Sequence, residues 1–121
     1  MAIVLRAFPI LAKEELQSFV DSLNGERKHE ADGFYRSYDV SHESWHIQNT
    51  PSGPWAICLT IVDNPTEAAP RYARSSGEFE SWFKSQVMQV TGINLSAEPL
   101  GPPTELIFAW SNRDRPNSAL L

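Results

Sequence analysis

Residues 43–63, ESWHIQNTPSGPWAICLTIVD, decide how this chain folds. Residues 43–49 and 55–62 are rich in aromatic and β-branched side chains with period-two patterning, which predicts two strands. Between them Thr50-Pro51-Ser52-Gly53-Pro54 is turn-rich. Its two prolines predict a longer, stiff loop rather than a two-residue hairpin. Two tryptophans, a histidine and the chain's single cysteine, Cys58, fall on this one unit.

Alternation assigns the side chains to faces. On the first of these strands Trp45, Ile47 and Asn49 point one way, and Ser44, His46 and Gln48 the other. On the second, Trp55, Ile57, Leu59 and Ile61 share a face, and Ala56, Cys58, Thr60 and Val62 share its opposite. Two helices cover only one face of a sheet. The greasier set, Ile57, Leu59 and Ile61 with Trp45 and Ile47, is expected beneath them.

Toward the amino terminus, residues 2–9 are short, apolar and stopped by Pro9, which suits a strand. The period changes after Lys13. Leu16, Phe19, Val20 and Leu23 form one stripe of a helix. Asn24-Gly25 signals a stop or kink, and helix is expected to resume through 26–35, weakened near its end by Gly33.

Toward the carboxyl terminus, Pro65 opens a second helical region. It begins with a weak segment over 66–74 that contains Pro70. Ser75 lies three residues before Glu78, the spacing of a capping box. Phe79, Trp82, Phe83, Gln86, Val87 and Val90 then make the clearest apolar stripe in the chain, ended by Gly92. A connector with Pro99, Pro102 and Pro103 leads to a last predicted strand over 105–110. The tail beyond is polar, with Leu120 and Leu121 as its docking candidates.

The predicted order is β-α-β-β-α-β, the split βαβ arrangement of a ferredoxin-like α+β domain. Its four-stranded antiparallel sheet would carry helices on one face. The reading is one domain over 1–111 and a polar tail over 112–121, as suits a chain of 121 residues.

Composition narrows the function classes. A net charge of −5 and a pI near 5.1 argue against nucleic acid as partner, because phosphate binding draws on clustered Lys and Arg. The basic run Arg27-Lys28-His29 is flanked by Glu26 and Glu30 and reads as a solvated helix face. One cysteine gives no internal disulfide and no metal-ligand pair, so a reducing compartment is expected. His29 and His42 are not paired as metal ligands, and no phosphate-cradling glycine loop or dinucleotide fingerprint is present. The first residues lack a signal peptide's apolar region, and no run has the length of a membrane span. A cytoplasmic protein with no metal and no cofactor is the expectation.

The order of elements and the segment DNPTEAAPRYARSSGEFESWFKSQVMQVTGINL, residues 63–95, resemble the dimeric α+β-barrel superfamily, the ferredoxin-like group that includes the antibiotic-biosynthesis monooxygenases. A Phe-x-x-Trp-Phe helix followed by Thr-Gly-Ile/Val-Asn/Asp-Leu, here Phe79, Trp82, Phe83 and residues 91–95, is similar to one bacterial branch of it. The match runs to Trp110. It implies a fold and a homodimer. It implies no activity, since the superfamily holds oxygenases, dehydratases, haem-degrading enzymes and regulators.

The uncovered face of the sheet is expected to carry Arg6, Phe8, His46, Gln48, Cys58 and Thr60, with Val4. Two such faces packed together would enclose a cavity for a small, partly aromatic molecule, held by these six residues. Arg6 is the sharpest anomaly, a charge inside an apolar strand. It would clamp a carboxylate or phenolate, or else pair with a glutamate such as Glu30 or Glu105. His46 has a pKa suited to general base work, or serves as a hydrogen-bonded residue of the dimer seam. In an enzyme, a cofactor-independent monooxygenase acting on a phenol or quinone, His46 would remove a proton and Arg6 would stabilise the anion. Cys58 would need His46 beside it to act as a nucleophile; otherwise it is a small hydrophobe. Tyr35 and Tyr38 would present phenols at a cavity mouth. A third reading is a structural or interaction module that needs only the dimer.

Overall fold

A computed structural model of the chain describes residues 1–99 and 102–115. The elements run β1 (Ala2–Pro9), α1 (Lys13–Asn24), α2 (Lys28–Ser37), β2 (Val40–Thr50), β3 (Gly53–Val62), α3 (Pro65–Arg74) and α4 (Glu78–Thr91). The strands form an antiparallel sheet in the order β1-β3-β2, and the architecture is α+β. No described helix is long and apolar enough to cross a membrane.

The expected helices form where the apolar stripes run. The first pair breaks at Asn24-Gly25, as the stop signal requires. α3 starts from Asn64, whose side chain accepts from the Glu67 backbone N–H at 3.2 Å, with Pro65 in the first turn. α4 ends on Gly92 at φ +76, a left-handed cap that glycine adopts without strain. The capping box does not form. Ser75 instead donates to the Tyr72 carbonyl at 2.6 Å, closing α3, and Gly77 is the residue that precedes α4. Buried Lys84 donates to the carbonyls of Ala73 and Ser75 at 3.0 and 2.9 Å, so α4 holds the carboxyl end of α3.

Two expectations about the strands are corrected. The β2–β3 loop is tight, with Thr50 directly paired to Gly53 across Pro51-Ser52. Thr50 Oγ1 donates to the Gly53 carbonyl at 2.7 Å and accepts from the Ser52 N–H at 3.2 Å, and Gly53 takes φ +114. These bonds let the chain turn within two residues despite the prolines. The predicted fourth strand, 105–110, has no ladder partner among the described residues and is not part of the β1-β3-β2 sheet. Leu120 and Leu121 lie outside the described residues.

The faces also come out in a different phase. Trp45 and Arg6 both pair with Cys58, so all three share a face. The helix-side face carries Val4, Arg6, Phe8, Glu43, Trp45, Ile47, Ala56, Cys58, Thr60 and Val62. Ile3, Leu5, Ile57, Leu59, Ile61 and His46 point away from the helices, and of these Ile61 alone is buried. The greasier side of β3 is therefore outside the helix layer, because Ile57 pairs with His46 and not with Trp45.

The core lies among the helices and against Trp45. Phe19 is its most buried large side chain, with ring centroids 5.0–5.4 Å from Phe83, Trp45 and Trp82. Phe34 links that cluster to Tyr38 and Tyr72. Phe8, Ile10, Ala56 and Val90 form a second cluster at the other end of the sheet.

Candidate functional site

Between the helix-side face of the sheet and the helices lies an open hollow of about 780 Å³. Its origin is legible in β3. The floor positions Ala56, Cys58 and Thr60 are small, so the helices and the sheet do not close on one another there. The volume falls within the ~300–1,000 Å³ of small-molecule sites. Phe8, Leu16, Phe19, Phe34, Phe83 and Val87 supply apolar wall.

The polar groups come in rows set by strand register. Val4, Thr60 and Glu43 make one row, and Arg6, Cys58 and Trp45 the next. Glu43 is the hub of the first. Its carboxylate accepts from Tyr35 Oη at 2.5 Å, from Thr60 Oγ1 at 2.8 Å and from Trp45 Nε1 at 3.1 Å. Three donors on one part-buried carboxylate offset much of what its removal from water costs. Burial first, then the Glu43 charge, raises the Tyr35 phenol far above its ordinary value, so Tyr35 stays a donor. Tyr35, Glu43 and Trp45 also line a second hollow of about 580 Å³ against α1 and α2, so this cluster forms a wall between the two spaces.

Cys58 sits 3.7 Å from Thr60 Oγ1. Burial, with the Glu43 charge second, pushes its thiol up to about 12, the opposite of an activated nucleophile. Tyr72 also lines the large hollow. Its hydroxyl is buried without a hydrogen-bond partner among the described residues. Burial raises its pKa as well. Unpaired buried hydroxyls are uncommon and costly, on the order of 1–3 kcal/mol.

Arg6 lines the hollow but forms no ion pair with any described residue. Glu30, one of its expected partners, binds Arg27 instead at 3.4 Å. The Arg6 guanidinium donates to the carbonyl of its neighbour Leu5 at 3.0 Å, at the edge of β1.

The structure thus brings Arg6, Phe8, Cys58 and Thr60 together, on the helix side of the sheet rather than on its uncovered face. Gln48 is exposed on the opposite face and does not line the hollow; His46, with its ring on that face at 3.0 Å from Ser44 Oγ, also borders the hollow. His46 is not the cross-strand neighbour of Cys58, and it does not share a face with Arg6 as holding one polar group together would need, because Cys58 pairs with Trp45 and side chains one residue apart on a strand point to opposite faces. Tyr35 and Tyr38 do line the hollow. Glu43 and Tyr72 were missed. Glu43 sits two residues before Trp45, so the strand period that turns the indole inward turns the carboxylate with it. Tyr72 lies in a proline-interrupted segment with no pattern to mark it. Among the described residues no group of three or more His, Cys, Asp or Glu is placed to hold a metal ion.

No protein-family model, no curated protein and no solved structure matches this chain.

Proposed function

We propose that this protein binds a small, partly aromatic molecule carrying an anionic or polar group in the hollow between sheet and helices, and that it works as a homodimer of ferredoxin-like subunits. The observation that carries this reading is the pairing of an apolar space with two polar groups lacking side-chain partners among the described residues, the Arg6 guanidinium and the Tyr72 hydroxyl. A ligand acid or phenolate would accept from Arg6. A carbonyl or ether oxygen on the same molecule would accept from Tyr72, while the aromatic part lies against Phe8, Cys58 and the helix wall. Such convergence of few polar anchors in an apolar pocket is the usual form of a ligand site.

The oxygenase alternative needs a base on the Arg6 side of the sheet, and His46 stands on the other. The observations favour binding over turnover.

A thermal-shift screen of aromatic acids, phenols and quinones tests the proposal. A ligand at about 100 times its dissociation constant adds roughly 2.7 kcal/mol, a shift of several degrees in a domain of this size. The expected hit disappears in Arg6→Ala and weakens in Tyr72→Phe, with both variants folded. No hit across the panel, with Arg6→Ala itself strongly destabilised, would leave Arg6 as a purely structural group.

A further inference from the structure

α3 covers one end of the hollow, where Pro65, Ala68, Ala69, Pro70, Tyr72 and Ala73 line it. Apart from Tyr72 these side chains are small, so their burial holds the helix weakly. The contrast with α4 is plain: α4 buries Phe79, Phe83, Val87 and Val90, and α3 buries Ala68. Pro70 weakens α3 from within, because it has no N–H for the Thr66 carbonyl.

What fixes α3 in place is largely polar and lies in its carboxyl half. Lys84 Nζ reaches from α4 to the Ala73 and Ser75 carbonyls at 3.0 and 2.9 Å, and stands 5.2 Å from the Tyr72 ring centroid. Arg71 Nη2 donates to the Ser37 carbonyl at 2.8 Å, with its guanidinium 4.2 Å from the Tyr38 ring centroid. Ser75 and Gly77 are both extended, so α3 and α4 are joined by a linker rather than by continuous helix.

Tyr72 pulls in both directions. Its ring docks 5.6 Å from Phe34 and 5.8 Å from Tyr38, yet its hydroxyl is buried with no hydrogen-bond partner among the described residues. With α3 seated, that hydroxyl has given up water for nothing; with α3 lifted, it is hydrated again.

We infer that α3 is a hinged lid over the hollow, latched by Lys84 and Arg71 and biased toward opening by the Tyr72 hydroxyl. An occupant that offers an acceptor oxygen to Tyr72 removes the bias, so filling the hollow seats the lid. That last step rests on the binding function proposed above; the lid itself does not. A ten-residue helix with an internal proline does not keep its hydrogen bonds once detached, so each lifting opens the amides of α3 to solvent.

Hydrogen exchange read by mass spectrometry on the ligand-free full chain tests the lid. Peptides over 66–74 are expected to exchange at least about tenfold faster than peptides over 82–90 in α4. Fraying alone would also give fast exchange, and two substitutions separate it from lifting. Tyr72→Phe should slow exchange over 66–74 at least about fivefold, because the seated lid no longer buries an unpaired hydroxyl. Lys84→Met should speed it by a similar factor, because the latch is gone. Exchange over 66–74 that matches 82–90 overturns the lid, since α3 then opens only with the whole domain. So does a Tyr72→Phe variant in which 66–74 exchange unchanged or faster. An unchanged rate in Lys84→Met overturns the latch, and if that variant fails to fold Tyr72→Phe decides alone. No ligand enters these measurements, so their failure overturns the lid and not the binding, whereas an empty thermal-shift panel overturns the binding and not the lid.

Discussion

The two faces of the β1-β3-β2 sheet do not divide by hydropathy alone. The outer one carries Ile3, Leu5, Ile57, Leu59 and Ile61; the one under the helices sets Arg6, Glu43, Ala56, Cys58 and Thr60 among Val4, Phe8, Trp45 and Val62. Transfer free energy alone would turn the first set inward. Side-chain volume resolves the difference. A floor of Ala, Cys and Thr beneath large aromatic helix residues leaves room for a molecule, whereas a floor of Ile and Leu would fill the same space. An aliphatic face left outside is then a surface for assembly, and a small, polar-bearing face inside is a surface for a ligand.

The largest effect that would break this comparison lies along β1 itself. Phe8→Ala removes a buried ring from the inner face and should cost about 3–5 kcal/mol. Ile3→Ala, on the outer face of the same strand, should cost under about 1 kcal/mol in dilute protein, where assembly contributes least. Urea unfolding of the two variants decides it. Equal losses would mean that the outer face is already core within one chain.

A smaller contrast sits on β2. Glu43→Leu strands the Tyr35, Trp45 and Thr60 donors and should cost about 2–3 kcal/mol. His46→Ala, on the exposed side of the same strand, should stay within about 0.5 kcal/mol. Chemical denaturation at pH 7 measures both. If Glu43→Leu is neutral, the carboxylate is not the organising centre of the inner face.

The smallest effect appears with alkali. The folded Cys58 thiol titrates near 12 rather than its ordinary 9.0, so folding favours the protonated form. That stability is fully present below pH 9 and is lost as pH rises toward 12. At pH 10 the loss is about 1 kcal/mol for this group. Tyr35 and Tyr72, also raised, add to it above their ordinary 10.0. Urea midpoints at pH 8, 9 and 10 should fall for wild type, and less steeply for Cys58→Ala. A parallel fall in both would place the thiol in contact with water.

The helices were legible because each is written in a single period. Leu16, Phe19, Val20 and Leu23 mark α1, Phe79, Phe83, Val87 and Val90 mark α4, and Gly92 stops α4 by accepting a positive φ. Faces within one strand were legible too. What could not be read was how the strands pair, since alternation fixes neighbours on a strand but not across it. The β2–β3 register depends on whether Thr50 meets Gly53. Reading Pro51 to Pro54 as a long loop discarded that pair, and with it the count that puts Trp45 opposite Cys58. Hydropathy then favoured Ile57 and Leu59 as core. Of the candidate site, Arg6, Phe8, Cys58 and Thr60 were found by type, and Glu43 was not, because a carboxylate beside Ser44 reads as solvated until its row is known.

The solitary thiol on the floor of the hollow makes the protein its own clock. With a pKa near 12, about one part in 10⁵ of Cys58 is thiolate at neutral pH, against a few per cent for an open cysteine. Alkylation on the floor of the open hollow is therefore slow, with one label per chain. Anything seated above Cys58 slows it further, so occupancy can be timed without knowing what the occupant is.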